Sequence, residues 1–188
     1  MEVGVIDCGS DKIAQITEML QSLGAQTQTI SLLELDEERF PASTPLVFSG
    51  NPSLLTDDDP FPMIRKYRWL KYRESAMLGL CFGHQLLGLL HGSRVFLINE
   101  DRENRAIYLQ PSHPLFEGLS NPSYFQQDHC EAISLPDGFL SLASSDACTL
   151  EAMAHPEKPH FGVQFHPEVS GENGRQLFGN FLKIAFPG

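Results

Sequence analysis

Three side chains have the types and settings for nucleophilic chemistry: one cysteine framed by glycines and two histidines, each followed by Pro-Glu. The cysteine lies in Gly79-Leu80-Cys81-Phe82-Gly83. The same frame, with serine at its centre, is the elbow that exposes a nucleophile on a sharp strand-to-helix turn. The glycines are needed because such a turn leaves no room for side chains beside the nucleophile. A helix starting near Phe82 places its N-terminal dipole beside Cys81 and favours the thiolate. The backbone N–H of Phe82 then points towards a developing oxyanion. An arbitrary unpaired cysteine is more often a small core residue; the glycine frame weighs against that here.

A cysteine nucleophile needs a histidine base, itself oriented by a third group. Of seven histidines, two stand in identical tripeptides, His155-Pro156-Glu157 and His166-Pro167-Glu168. "TLEAMA" and "HFGVQF" read as two strands of a hairpin joined by "HPEKP". His155 therefore falls in the connecting turn, where Pro and charge are expected. His166 follows the second strand, roughly 20 Å away at about 3.3 Å per residue. With Glu168 two residues on, it is the histidine expected over Cys81.

The flanking segments supply the supports. "EVGVID" reads as a buried strand, and Ile13, Ile16, Leu20 and Leu23 recur at helical spacing up to Gly24. "AQTQTIS" and "PLVFS" are further strands, the second running into "GNPS". "NPSLLTDDDPFP" is a long Pro- and Asp-rich loop, uncommon without a function. Met63, Tyr67 and Leu70 mark a helix face, "AMLGL" a strand, and "FGHQLLGLLHG" a helix closed by Gly92. Alternating strand and helix predict a parallel sheet with helices on both faces. The second half adds strands at "SYFQQ", "GFLSLAS", "CTLEAMA" and "HFGVQF". A last helix follows, with Leu177, Phe178, Phe181, Leu182 and Ala185 on one stripe. Without repeats or a linker, one three-layer α/β domain over 1–188 is expected, with a mostly parallel central sheet.

"GLCFGHQL" together with "FGVQFHPEVS" resembles the class I glutamine amidotransferases, whose pattern is G-x-C-x-G-x-Q followed by a strand ending in H-P-E. The resemblance runs from the first strand to "ENGRQLFGNFL" and implies their flavodoxin-like fold. It implies that Cys81 attacks the side-chain amide of L-glutamine, that His166 protonates the leaving ammonia and then activates water, and that Glu168 holds the imidazole. Gln85 matches the family glutamine that contacts substrate, and His84 falls in a variable slot of the motif, as packing. The family's oxyanion strand ends in S-G-G-P; here it reads Ser49-Gly50-Asn51-Pro52. Gly50 would adjoin the substrate and Asn51 would supply an oxyanion N–H beside that of Phe82. Asn tolerates positive φ best among non-glycine residues, should the peptide require it. "FQQDHCEAI" resembles the family segment lining the glutamine site, with His129 in the histidine slot and Glu131 where Asp is usual; a polar turn between strands is the plainer reading.

Ammonia in this family is consumed by a synthase, here expected as a separate chain. "HPLFEGL" and "HFGVQFHPEV" look most like the amidotransferase subunit of two-chain GMP synthetases, with the small subunits of anthranilate and aminodeoxychorismate synthases as runner-up. After the triad the usual H-T segment is replaced by "SGENG". A glutaminase acting alone, an enzyme of another γ-glutamyl compound, a cysteine hydrolase or peptidase, and a silent binding module remain open. The resemblance implies no cofactor for glutamine hydrolysis, with ATP and Mg entering only through a synthase.

Composition narrows the setting. Thirteen basic against twenty-four acidic residues give a net charge of −11, against nucleic-acid or anionic-membrane binding. No basic n-region precedes the first strand and no apolar run approaches the roughly 20 residues of a membrane span. Cys8, Cys81, Cys130 and Cys148 are far apart, with no C-x-x-C pair for a metal. Free thiols in a cytoplasmic setting are expected. Arg65, Lys66, Arg68, Lys71 and Arg73 crowd one helix, read as a solvated face, or alternatively a docking surface for an acidic partner. Asp57-Asp58-Asp59 read as a solvated loop.

Overall fold

A period of two in the first strand already sets out three layers. In β1 (Glu2–Asp7) Val3 and Val5 enter one apolar cluster and Ile6 the other, on opposite faces. A computed structural model describes residues 1–110 and 112–187. After β1 come α1 (Ile13–Ser22), β2 (Gln26–Ser31), β3 (Leu46–Phe48), α2 (Phe61–Tyr67), β4 (Met77–Leu80) and α3 (Phe82–Leu90). The second half holds β5 (Val95–Asp101), β6 (Asn104–Leu109), β7 (Ser123–Gln126), β8 (His129–Ile133), β9 (Leu140–Ser144), β10 (Ala152–Ala154), β11 (His160–Val163) and α4 (Gly171–Ala185).

Nine strands form one sheet in the order β2-β1-β3-β4-β11-β10-β9-β6-β7. The first five run parallel, and the remaining four extend the sheet antiparallel. Strands β5 and β8 pair as a separate antiparallel ribbon. All of β3, β4 and β11 is buried, as parallel strands covered on both faces require. Ile16 and Leu20 of α1 and Leu177, Phe178 and Phe181 of α4 pack on one face with Val47, Leu78 and Val163. Tyr67 of α2 and Leu86, Leu89 and Leu90 of α3 pack on the other with Ile6, Phe48 and Met77. The α/β three-layer arrangement is thus present. Among the described residues no helix is long and apolar enough to cross a membrane.

Several local expectations are corrected. Cys148 to Glu151 are irregular, so the strand read over "CTLEAMA" shrinks to three residues. In "FQQDHCEAI" the polar turn is confined to Gln127 and Asp128, and His129 begins strand β8; β5 and β6 also form. The helix through Met63 ends at Tyr67, and Leu70 lies in a 3₁₀ turn. The basic helix is less of a free surface than its charge suggests. The buried Arg73 donates to Pro41 O at 2.6 Å and Thr44 O at 2.8 Å, and Lys66 donates to Leu33 O at 2.9 Å. Asp57, Asp58 and Asp59 are exposed, and Asp59 caps the N–H of Phe61 at 3.0 Å.

Candidate active site

Four parallel strands deliver loops to one cavity of about 270 Å³. Gly9 to Lys12 follow β1, Gly50 to Leu54 follow β3, Cys81 follows β4 and His166 lies beyond β11. Sequence order reverses between β1 and β3, so this is the crevice at the carboxyl ends of the strands where open α/β sheets bind ligands.

Cys81 occupies a backbone conformation, φ 49° and ψ −104°, that no other described non-glycine residue shares in sign of φ. The elbow is pinned by Cys81 N–H to Val163 O at 2.9 Å and by Gly83 N–H to Ser49 O at 3.1 Å. A Cβ on Gly79 would come within 2.6 Å of His84 N, and one on Gly83 within 2.6 Å of Phe48 O. Both glycines are therefore required by close backbone approach. Phe82, the first residue of α3, has an N–H with no intrahelical acceptor.

The strain expected of the elbow falls on Cys81, whereas Asn51 lies outside the left-handed region and needs no positive φ. Its side chain instead bridges two loops. Nδ2 donates to Cys8 O, and Oδ1 accepts from Ser53 N–H at 2.6 Å. The Ser49 hydroxyl accepts from Cys8 N–H at 2.9 Å and donates to Gly50 O at 3.0 Å. Gly50 lies where a Cβ would touch both the His166 ring, at 3.2 Å, and Cys81 Cβ, at 3.7 Å. Cys81, His166 and the end of β3 thus converge.

His166 Nδ1 is 2.7 Å from Glu168 Oε1, and both side chains are buried. Burial opposes a charge on this imidazole, but the neighbouring Cys81 and Glu168 outweigh it and push its pKa up to about 10. The arrangement holds a thiol, an imidazole and a carboxylate in the order that nucleophilic acyl transfer requires. His155 is at the opposite end of the hairpin, accepting at Nδ1 from the N–H groups of Glu157 and Lys158, both at 3.1 Å.

Gln85 and His129 also line the cavity, but their polar atoms are engaged within the protein. Gln85 Nε2 donates to Glu131 O at 3.4 Å and to Gln164 Oε1 at 3.2 Å. His129 has Nδ1 2.9 Å from Glu131 O and Nε2 3.0 Å from Gln127 Oε1, and burial lowers its pKa. Gln127 continues to the buried Glu151 at 3.3 Å, whose pKa burial raises to about 7 despite hydrogen bonds from Ser145 and Gln127. His84 is packing: its ring covers Gly162, and burial lowers its pKa to about 3.

Two sets of contacts at and behind the cavity wall are absent from the sequence reading. The Glu131 carboxylate accepts from Leu55 N–H at 3.0 Å, Thr56 N–H at 2.7 Å and the Thr56 hydroxyl at 2.6 Å, tying β8 to the loop after the oxyanion strand. Gln164 Nε2 lies 3.6 Å from Cys81 Sγ. Gln164 shares with Gly162 and His166 the period of two that turns them to the α3 face, which is the signal that could have found it. At the rim, Asp128 pairs with Lys12 at 3.1 Å and with Arg102 at 3.7 Å. Among the described residues, no cluster of three or more His, Cys, Asp or Glu is arranged to hold a metal ion.

Comparison with known proteins agrees with this geometry. The family model "Glutamine amidotransferase class-I" matches residues 4–185. A glutamine-hydrolyzing GMP synthase subunit of Pyrococcus furiosus is 32% identical over 185 residues, 96% of each chain. The Archaeoglobus fulgidus protein of the same name is 33% identical over 172 residues, 90% of each. A solved Thermoplasma acidophilum structure, provisionally assigned as the corresponding GMP synthase subunit, superposes with TM-score 0.85 at 26% identity, covering 98% of this chain and 94% of that one. The chain belongs to the class-I glutamine amidotransferase family.

Proposed function

We propose that this chain is the glutamine-hydrolysing subunit of a two-chain GMP synthase, converting L-glutamine and water to L-glutamate and ammonia for a separate synthase chain. The observation that carries the chemistry is the buried His166–Glu168 pair meeting a cysteine on a strained elbow. The similarity to glutamine-hydrolyzing GMP synthase subunits along nearly their whole length supports the GMP synthase assignment over the anthranilate and aminodeoxychorismate alternatives.

In this reading Cys81 Sγ, as thiolate, adds to the side-chain amide carbon of glutamine. The oxyanion is met by the backbone N–H groups of Asn51 and Phe82, a stabilisation effective in a site that excludes water. His166, protonated, gives its proton to the nitrogen; the C–N bond breaks, ammonia leaves and a glutamyl thioester remains. His166 then removes a proton from water, which adds to the thioester; the C–S bond breaks and glutamate departs. Glu168, bonded to Nδ1, fixes the tautomer that leaves Nε2 facing the sulfur and stabilises the charged ring. Gly50, Gln85 and His129 line the substrate cleft. The hydrolysis needs no cofactor, and ATP and Mg enter through the synthase. A single domain over 1–188 acting in the cytoplasm suits the four free thiols.

The test is ammonia release from L-glutamine by the chain, alone and with a synthase chain, beside Cys81→Ala and His166→Ala. Wild-type release, abolished in both variants, is expected. Release that either variant keeps would remove the mechanism, and GMP formation that no added synthase chain supports would remove the partner.

A further inference from the structure

We propose that Gln164 is a second side chain that stabilises the Cys81 thiolate, donating an N–H to Sγ from an orientation that Gln85 imposes. This rests on the reading of Cys81 as the nucleophile, and it follows from the direction of a short chain of hydrogen bonds. Glu131 O is a backbone carbonyl and only accepts, so the end of Gln85 facing it at 3.4 Å is the NH₂ group. The second hydrogen of that group meets the Gln164 carboxamide at 3.2 Å, which must present its oxygen there. The remaining end of Gln164 is then its own NH₂, and it is the end 3.6 Å from Sγ. Turning the Gln164 amide over would set NH₂ against NH₂ and place a carbonyl oxygen beside an anionic sulfur.

Nothing competes for this donor. Gln164 has no solvent exposure, so its amide cannot exchange a partner for water without opening the core. The Gln164 backbone is also held, by N–H to Glu151 O at 2.8 Å. A buried N–H aimed at a sulfur favours its charged form, because burying the thiolate without donors would be costly. Gln164 thus supplies from the β11 side what His166 supplies from the turn beyond it. Gln85 acts through Gln164 and is a positioning residue.

Other groups surround the sulfur. His166 and Glu168 lie beyond β11, and Asp11 and Lys12 lie before α1. Asp128, His129, Cys130 and Glu131 come from β8 and the residue before it. Substituting Gln164 leaves all of them in place, so a difference between wild type and variant isolates the amide.

The experiment is the rate of Cys81 alkylation by iodoacetamide between pH 5 and 10, read by mass spectrometry of the Cys81 peptide. That readout separates it from Cys130 and from Cys8 and Cys148, whose thiols burial pushes up to about 12. Gln164→Met removes the donor at similar volume, and Gln164→Asn keeps an amide that cannot reach. Each is expected to move the midpoint of the profile up by about one pH unit, near tenfold slower alkylation on the acidic side. Gln85→Met is expected to move it the same way by less. A folded Gln164 variant whose profile overlays wild type would overturn the proposal. So would an unmoved profile in Gln85→Met, should neither Gln164 variant fold. Ammonia release, measured in parallel, separates the two claims. Lost release with an unmoved profile overturns the role of Gln164 and leaves the glutaminase reading. A moved profile in a chain that releases no ammonia supports Gln164 and removes that reading.

Discussion

The two ends of the β10–β11 hairpin carry the same three residues, His-Pro-Glu, and put them to opposite uses. At one end His155 Nδ1 accepts two backbone N–H groups, so that nitrogen carries no proton and the ring closes a turn. At the other, His166 Nδ1 faces a buried carboxylate 2.7 Å away, so that nitrogen carries a proton. Identical tripeptides therefore differ at Nδ1, bare in one and protonated in the other. The difference lies in what faces them. Glu157 is exposed and its backbone does the bonding, whereas Glu168 is buried and its side chain does. A motif becomes a site only where the fold gives its second group no alternative partner.

The largest expected break in the comparison is in turnover. Exchanging each histidine for alanine should cost about 10³-fold in ammonia release at His166 and leave His155→Ala within about twofold of wild type. Equal losses would mean that both tripeptides, or neither, serve the reaction.

The carboxylates come next. Glu168→Gln keeps a group of the same shape but cannot hold the imidazole as a carboxylate does, and about a 10²-fold loss of kcat is expected. Glu157→Gln should leave kcat untouched. A Glu168→Gln enzyme with full kcat would show that the 2.7 Å bond contributes only to folding.

The two ends should also respond to pH with opposite sign. Burial pushes His160, beside His155, down to about 4. Below pH 6.5 the unfolded chain therefore takes up a proton that the folded chain refuses, and stability falls as pH drops from 6.5 towards 4. His166 is raised to about 10, so its contribution is complete below 6.5 and is lost as pH rises through 10. Urea unfolding across pH should show His160→Gln flattening the acid limb and His166→Gln the alkaline limb. Limbs that respond to the wrong variant would refute the assignment.

The smallest effect concerns the turn itself. His155→Ala gives up two hydrogen bonds from backbone N–H groups, a loss of about 1 kcal/mol in denaturant unfolding, and His155→Asn, with an acceptor suited to turns, should recover part of it. Equal stability of His155→Ala and wild type would leave the turn to Pro156 alone.

Much of this was legible in the residues. The elbow could be read because close backbone approach admits only glycine at Gly79 and Gly83, and the choice between the histidines because strand length separates a turn from a strand end. Strands β5 and β6 were not, because they carry polar and half-exposed residues on both faces, and no single period stands out. The strain at Cys81 was read from its glycine frame, whereas Asn51 needs none, since a side chain that bridges Cys8 O and Ser53 N–H can hold its loop in ordinary backbone geometry. Arg73 read as surface charge because its carbonyl partners, Pro41 and Thr44, lie some thirty positions upstream and leave no local trace.

The Glu131 carboxylate fastens Leu55 and Thr56 to the strand that carries His129. The loop leaving the oxyanion strand and the opposite wall of the cavity are thereby coupled as two arms of one lever. Displacing the exposed loop around Thr56 must therefore either break these hydrogen bonds or carry with it the strand whose Glu131 O holds the amide of Gln85.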